Sequence, residues 1–115
     1  MTVEQLVSYF SKVGVQQHDA DGDSDVGRYN RLVEVMLTIV QELRAREGDQ
    51  RRALTQLYTH PDTQVRFMAA IHTLALFPDE GRRTLQRISD RNQYPQAIDA
   101  PMILDGLDDG SYVPN

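Results

Sequence analysis

The chain has 115 residues, 12 Lys+Arg against 17 Asp+Glu for a net charge of −5, and no cysteine. That length suits one domain able to bury a real core. The missing cysteine excludes a disulfide scaffold, a thiolate zinc site and a thiol nucleophile, and the acidic balance argues against broad contact with a phosphate backbone.

Helical spacing recurs along the chain, and no stretch alternates with the period of two that a sheet needs. Thr2 is read as an N-cap, with Val3, Leu6, Val7, Phe10 and Val13 on one face of a helix ending near Gly14 to Gln17. Residues 18–27 are polar, contain two Gly and read as an acidic loop. Asp25 is placed to cap the next helix, over 28–46, whose wide apolar stripe includes Leu32, Val35, Met36, Ile39, Val40 and Leu43, with Val33 and Leu37 extending it. A stripe that wide predicts burial on more than one side. Gly48 stops this helix, and Asp49 restarts a short one carrying Ala53, Leu54, Leu57 and Tyr58.

His60-Pro61 ends that short helix, and Asp62 or Thr63 caps another with Val65, Met68, Ala69, His72 and Leu76 along one face. Pro78, Asp79 and Glu80 open a helix anchored by Leu85 and Ile88. Tyr94-Pro95 opens the last, which Pro101 is expected to kink or divide. The reading is an all-α domain over 1–110 of about six helices, with residues 1–27 an N-terminal capping helix plus acidic loop and 111–115 a frayed tail.

A shift of 30 or 31 residues brings Leu54 and Leu57 onto Leu85 and Ile88, and Ala70 and Leu74 onto Ala100 and Leu104. Such a quasi-repeat predicts stacked helix–turn–helix pairs, a short α-solenoid. The stretch 57–74 resembles a HEAT repeat in its Asp62 after the turn, its Val65-Arg66 pair, its two alanines Ala69-Ala70 and Leu74. Where the second unit would repeat Val-Arg it has Pro95-Gln96, and Asp99 where Ala69 stood. More narrowly, residues from about 29 to 110 resemble a small bacterial family of unknown function with a HEAT-like helical fold. Tyr29-Asn30-Arg31-Leu32, Leu57-Tyr58 with His60-Pro61, Gln64-Val65-Arg66 with Ala69-Ala70, and Leu107-Asp108-Asp109-Gly110 are among the stretches that carry the resemblance. It implies a small interaction module, of the kind that some immunity partners of secreted toxins form.

Charge is unevenly distributed. Residues 1–27 hold five acids against Lys12, and 92–115 hold four Asp and no base. Residues 28–52 carry six Arg against four acids, and 53–91 carry five against four. The middle is therefore mildly cationic and the ends are anionic. Tyr58, His60, Arg66, Arg82 and Arg83 are the candidate partner-binding residues, set against a plainer reading as packing residues and balanced surface charge.

Asp19, Asp21 and Asp23 have the spacing of the first ligands of an EF-hand loop, but Ser24 stands where the turn needs Gly and Asn30 where a bidentate Glu should close the site. The competing reading is a solvated acidic loop. His18, His60 and His72 show no metal-ligand spacing, and no nucleophile elbow or Gly-rich phosphate loop is present.

The expected function is a non-enzymatic protein–protein interaction module, an adaptor or an immunity or antitoxin-like protein. The alternative is a Ca²⁺-responsive regulator acting through the acidic loop, and less favoured is a HEAT-type nucleic-acid enzyme. No cofactor, nucleic acid or membrane partner is expected. The start of the chain has no basic region leading into an apolar run, and the longest mostly apolar stretch, 32–40, falls far short of the ~18–20 residues that span a bilayer. The expected location is the cytoplasm.

Overall fold

Helix starts are set by short polar side chains that catch orphaned backbone N–H groups. In the computed structural model, which describes residues 1–115, Thr2 caps α1 (Val3–Gly22) through a reciprocal box with Gln5. Asp25 caps α2 (Val26–Ala45) by accepting from the Arg28 N–H at 3.1 Å. Asp62 caps α3 (Thr63–Thr73) by accepting from the Val65 N–H at 3.2 Å. Pro78 begins α4 (Pro78–Asp90), with Asp79 and Glu80 in its first turn. The last helix is α5 (Gln96–Asp109). Together with a 3₁₀ segment between α2 and α3, these make an all-α fold of six helical elements without a strand. Its radius of gyration is 13.5 Å, as a compact chain of this length requires.

Several expected boundaries move, each for a physical reason. Helix α1 does not end near Gly14 to Gln17 but runs to Gly22. Gly14 is a contact rather than a stop, since a Cβ there would lie 2.8 Å from Val65 Cγ2 on α3. Of the expected acidic loop, residues 18–22 therefore belong to α1 and 26–27 to α2, which leaves only 23–25 between the helices. Helix α2 buries Met36, Ile39, Val40 and Leu43 on one side, while Leu37 is 40% exposed, so it is covered from one side only.

The short helix after Asp49 is a 3₁₀ helix, Gln50–Thr59. Its buried residues Arg51, Leu54 and Leu57 recur every third position, the spacing that aligns side chains at three residues per turn. Pro101 sits inside α5 without dividing it. The tail is not wholly frayed: Tyr112 is half-buried against the core, its N–H donates to the Gly106 carbonyl at 3.0 Å, and the Asn115 carbonyl accepts from Arg51 at 3.3 Å.

The core forms two clusters that meet at α3. Phe10, Val13, Met36, Ile39, Leu43 and Leu54 lead the first, to which α3 supplies Val65 and Ala69. Leu74, Leu85, Ile88 and Ala100 lead the second, to which α3 supplies Phe67 and Ala70. Tyr58 and Met68 pack against both. The small side chains of Ala69 and Ala70, both fully buried, let neighbours approach α3 from two sides.

Three buried glutamines cross this core. Gln64 Nε2 donates to Gln17 Oε1 at 3.0 Å, and Gln96 Nε2 donates to Gln64 Oε1 at 2.8 Å. The ladder joins α1, α3 and α5, with Tyr29 accepting from Gln64 at 3.3 Å on its flank. At its far end, Gln96 Oε1 is buried without a partner.

Gln64→Leu should destabilise the fold by about 2–4 kcal/mol, because it leaves the Gln17 acceptor and the Gln96 donor buried and unpaired. The triple variant Gln17→Leu, Gln64→Leu, Gln96→Leu should lose less than Gln64→Leu alone, since no orphaned amide remains. Urea melts of the three proteins check the order.

His72 meets Phe10 edge-on, with ring centroids 6.1 Å apart. Burial, and then the positive charge of Arg51, pull its imidazole from 6.5 to about 4. The unfolded chain takes up a proton near pH 6.5 that the folded one resists until about pH 4. Stability is therefore complete above that window and falls as pH drops through it. The loss should be on the order of 2 kcal/mol and absent in His72→Gln. Urea melts at pH 7 and pH 4.5 check it, and identical pH dependence in both proteins would refute it.

Candidate functional site

A groove of about 460 Å³ opens between the 3₁₀ segment, α3 and α4. Arg66, Arg87 and Arg91 line it, with Tyr58, Thr84 and Gln93; Thr59 and Ile88 complete its walls. Thr84, Arg87 and Ile88 fall at helical spacing on α4 and Arg91 caps its C-terminal end, so the register that buries Ile88 in the core also brings both arginines to the groove.

Arg66 is held by neutral oxygens. One terminal nitrogen donates to the His60 carbonyl at 2.9 Å and the Pro61 carbonyl at 3.4 Å. The other donates to Thr63 Oγ1 at 2.9 Å and Gln93 Oε1 at 3.0 Å. The guanidinium thus ties the turn before α3 to the turn before α5 and leaves its Nε–H without an acceptor in the chain. Burial, and then the nearby charge of Arg91, lower the Arg66 pKa below the ordinary guanidinium value.

No carboxylate forms an ion pair with the three arginines, although the charge of Asp62 partly offsets that of Arg66. The ion pairs of the protein are His18–Asp62, Arg51–Asp49 and Arg82–Asp108. Asp62 gives one oxygen to the α3 cap and the other to His18 at 3.1 Å. Asp90, next to Arg91 in sequence, accepts from Gln86 at 2.8 Å. Arg87 and Arg91 are exposed, and their side chains form no ion pair within the chain. Three positive charges around one concavity, none of them held in an ion pair, make a field that attracts anions. Tyr58 closes one wall; its hydroxyl bonds to Thr73, and burial pushes its phenol pKa up.

The structure brings together only two of the five expected partner-binding residues, Tyr58 and Arg66. His60 lends Arg66 its carbonyl, but its ring accepts from the Asp62 N–H at 3.0 Å and borders a shallow depression beside Lys12 and Gln16 of α1. Arg82 turns to Asp108 of α5 at 2.7 Å. Arg83 is exposed one turn before Arg87 and does not line the groove. Arg87 and Arg91, two of the arginines that make the middle of the chain basic, join the groove in place of Arg82 and Arg83, and Thr84 and Gln93 line it as residues that no motif marks.

The acidic segment departs from its expected geometry. Asp19 and Asp21 stand on α1, two residues apart and so roughly 200° apart around the helix, while Asp23 caps its end. These carboxylates do not converge, and no group of three His, Asp or Glu side chains lies close enough to hold a metal ion.

The arginines of the groove divide by role. Arg66→Ala should destabilise the protein by about 1–3 kcal/mol, since four neutral acceptors lose their shared donor. Arg87→Ala with Arg91→Ala should change stability by no more than about 0.5 kcal/mol, because neither has an intramolecular partner to lose. Thermal melts of both variants check the contrast.

The domain of unknown function DUF2019 matches residues 4–108. Among solved structures, the protein RPA1889 from Rhodopseudomonas palustris CGA009 is 48% identical to this chain. Its crystal structure superposes with a TM-score of 0.97 over 100% of this chain and 95% of that one. No curated protein matches. A match spanning nearly all of the helical fold, from the first turn of α1 to the last of α5, places the chain in the DUF2019 family of domains of unknown function.

Proposed function

We propose that this protein is a non-enzymatic interaction module that holds an acidic segment of a partner protein in the arginine groove. The observation that carries this reading is the set of three guanidinium groups, Arg66, Arg87 and Arg91, facing one concavity with no carboxylate paired to them. A folded chain normally disperses or pairs such charges, because like charges at close range oppose one another. Here the fold spends a half-buried arginine on positioning and leaves the other two free.

The layout supports the same reading. Elements pack as consecutive pairs, α1 with α2, the 3₁₀ segment with α3, and α4 with α5. A short HEAT-like stack of this kind offers an extended surface rather than an enclosed pocket. An adaptor, or an immunity or antitoxin-like protein, is the class of role that fits. No helix is long and apolar enough to cross a membrane, and we place the protein's work in the cytoplasm. The net charge of −5 makes an acidic protein segment, gripped locally, a better partner than a nucleic acid contacted broadly.

Fluorescence anisotropy with a labelled Asp/Glu-rich peptide tests the proposal. Saturable binding is expected, weakened about tenfold or more in Arg87→Glu, Arg91→Glu, as loss of two charge-assisted contacts implies. No binding to the wild-type chain, or equal binding to the variant, would overturn it.

A further inference from the structure

We infer that the groove recognises a phosphate monoester carried on the partner segment, a reading that rests on the acidic-partner proposal above and sharpens it. The argument is one of charge and donor count. A carboxylate brings a single negative charge and two oxygens. A phosphorylated side chain brings a charge near −1.5 to −2 and three strong acceptor oxygens at neutral pH.

The groove presents three guanidinium groups from two different places in the fold, Arg66 on α3 and the Arg87–Arg91 pair at the C-terminal end of α4 and its cap. Their combined charge exceeds what one carboxylate would offset and suits a dianion. The donors are also disposed for it. Arg66 is fixed on four oxygens through its two terminal nitrogens, so its plane is set before any ligand arrives and its free Nε–H is the donor left over. Arg87 and Arg91 have all their N–H groups available. One rigid donor and two adaptable forks around a concavity of about 460 Å³ accommodate a tetrahedral oxyanion at the end of a side chain.

The rest of the groove fits the same ligand. Thr84 donates its hydroxyl hydrogen to the Glu80 carbonyl at 2.9 Å, so the donors open to a ligand are those of the arginines. The half-buried ring of Tyr58 gives an apolar wall against which the stem of a phosphorylated residue can lie. The Tyr58 hydroxyl is occupied by Thr73. The acids flanking the groove in sequence bond elsewhere, Asp90 to Gln86 and Asp62 to His18, so neither forms an ion pair with a groove arginine.

The test follows the arginine Nε–Hε resonances of the ¹⁵N-labelled full chain by NMR at constant ionic strength. The probes are acetate, inorganic phosphate, a phosphoserine peptide, the same peptide with Glu in place of phosphoserine, and a short single-stranded DNA. The Arg66, Arg87 and Arg91 signals should move saturably with phosphate and not with acetate. The phosphopeptide should bind about tenfold or more tightly than free phosphate, and Arg87→Gln, Arg91→Gln should erase that gain. Because that double variant removes no intramolecular contact, it stays folded and its Arg66 signal still reports.

Equal shifts with acetate and phosphate, or binding untouched by the double variant, would overturn the inference. Free phosphate bound as tightly as the phosphopeptide would make the ligand a free anion and overturn the protein-borne source. Tighter binding of the DNA would overturn it in favour of a nucleic acid. Binding of the Glu peptide alone would sink the phosphate inference and leave the acidic-partner proposal standing. Silence towards both peptides would sink the two together.

Discussion

The glutamine ladder is the constraint on which the rest of the structure depends. Apolar packing rewards burial without much regard for register, whereas a buried amide that misses its partner loses a hydrogen bond and cannot recover it from water. Gln17, Gln64 and Gln96 lie on α1, α3 and α5, with 47 residues between the first pair and 32 between the second. A slip of any one helix along its axis would break at least one of these bonds. Around the ladder the contacts follow the same alignment: Gly14 against Val65, Phe10 against His72, and His18 against Asp62 show α1 running antiparallel to α3.

The ladder also sets the groove. Gln64 and Arg66 are two residues apart at the start of α3, and Gln93 and Gln96 flank the start of α5. Two bonds therefore join the same two chain segments, Gln96 to Gln64 in the interior at 2.8 Å and Arg66 to Gln93 near the surface at 3.0 Å. The inner bond fixes the spacing of α3 and α5, and the outer one uses that spacing to hold a guanidinium in place. Packing, rather than a flexible loop, thus determines where the fixed charge of the groove stands.

Local signals in the sequence were sufficient where the physics is local. Thr2, Asp25 and Asp62 cap the helices they were expected to cap, because capping involves only a side chain and backbone groups three residues on. Signals failed where a residue answers to a distant one. Gly14 and Gln17 look like a helix end when read locally, yet both are buried against α3. Gln96 stands where a repeat would place an arginine, and instead its side chain donates to Gln64 in the core. Arg82 looked free until Asp108, 26 residues later, turned up beside it. Arg66 was legible through its Val-Arg setting, but Arg87 and Arg91 were lost among many arginines, and only the three-dimensional placement of acids separates those left unpaired from those that are not.

The unpaired state of the groove is itself informative. Surface ion pairs contribute little to stability, so pairing Arg87 or Arg91 with a nearby acid would change the fold's free energy only slightly. The same holds for leaving them bare, and stability alone is indifferent between the two. Arg66 is different, since burial without a counter-charge is unfavourable, as its lowered pKa records. Neutral carbonyl, hydroxyl and amide oxygens solvate it instead of a carboxylate. That choice of ligands satisfies the four terminal N–H donors without the direct ion pair that a carboxylate would form. A fold that needed only to tie two turns together could have used either. One that must also keep a fixed positive charge facing an open groove needs the neutral set.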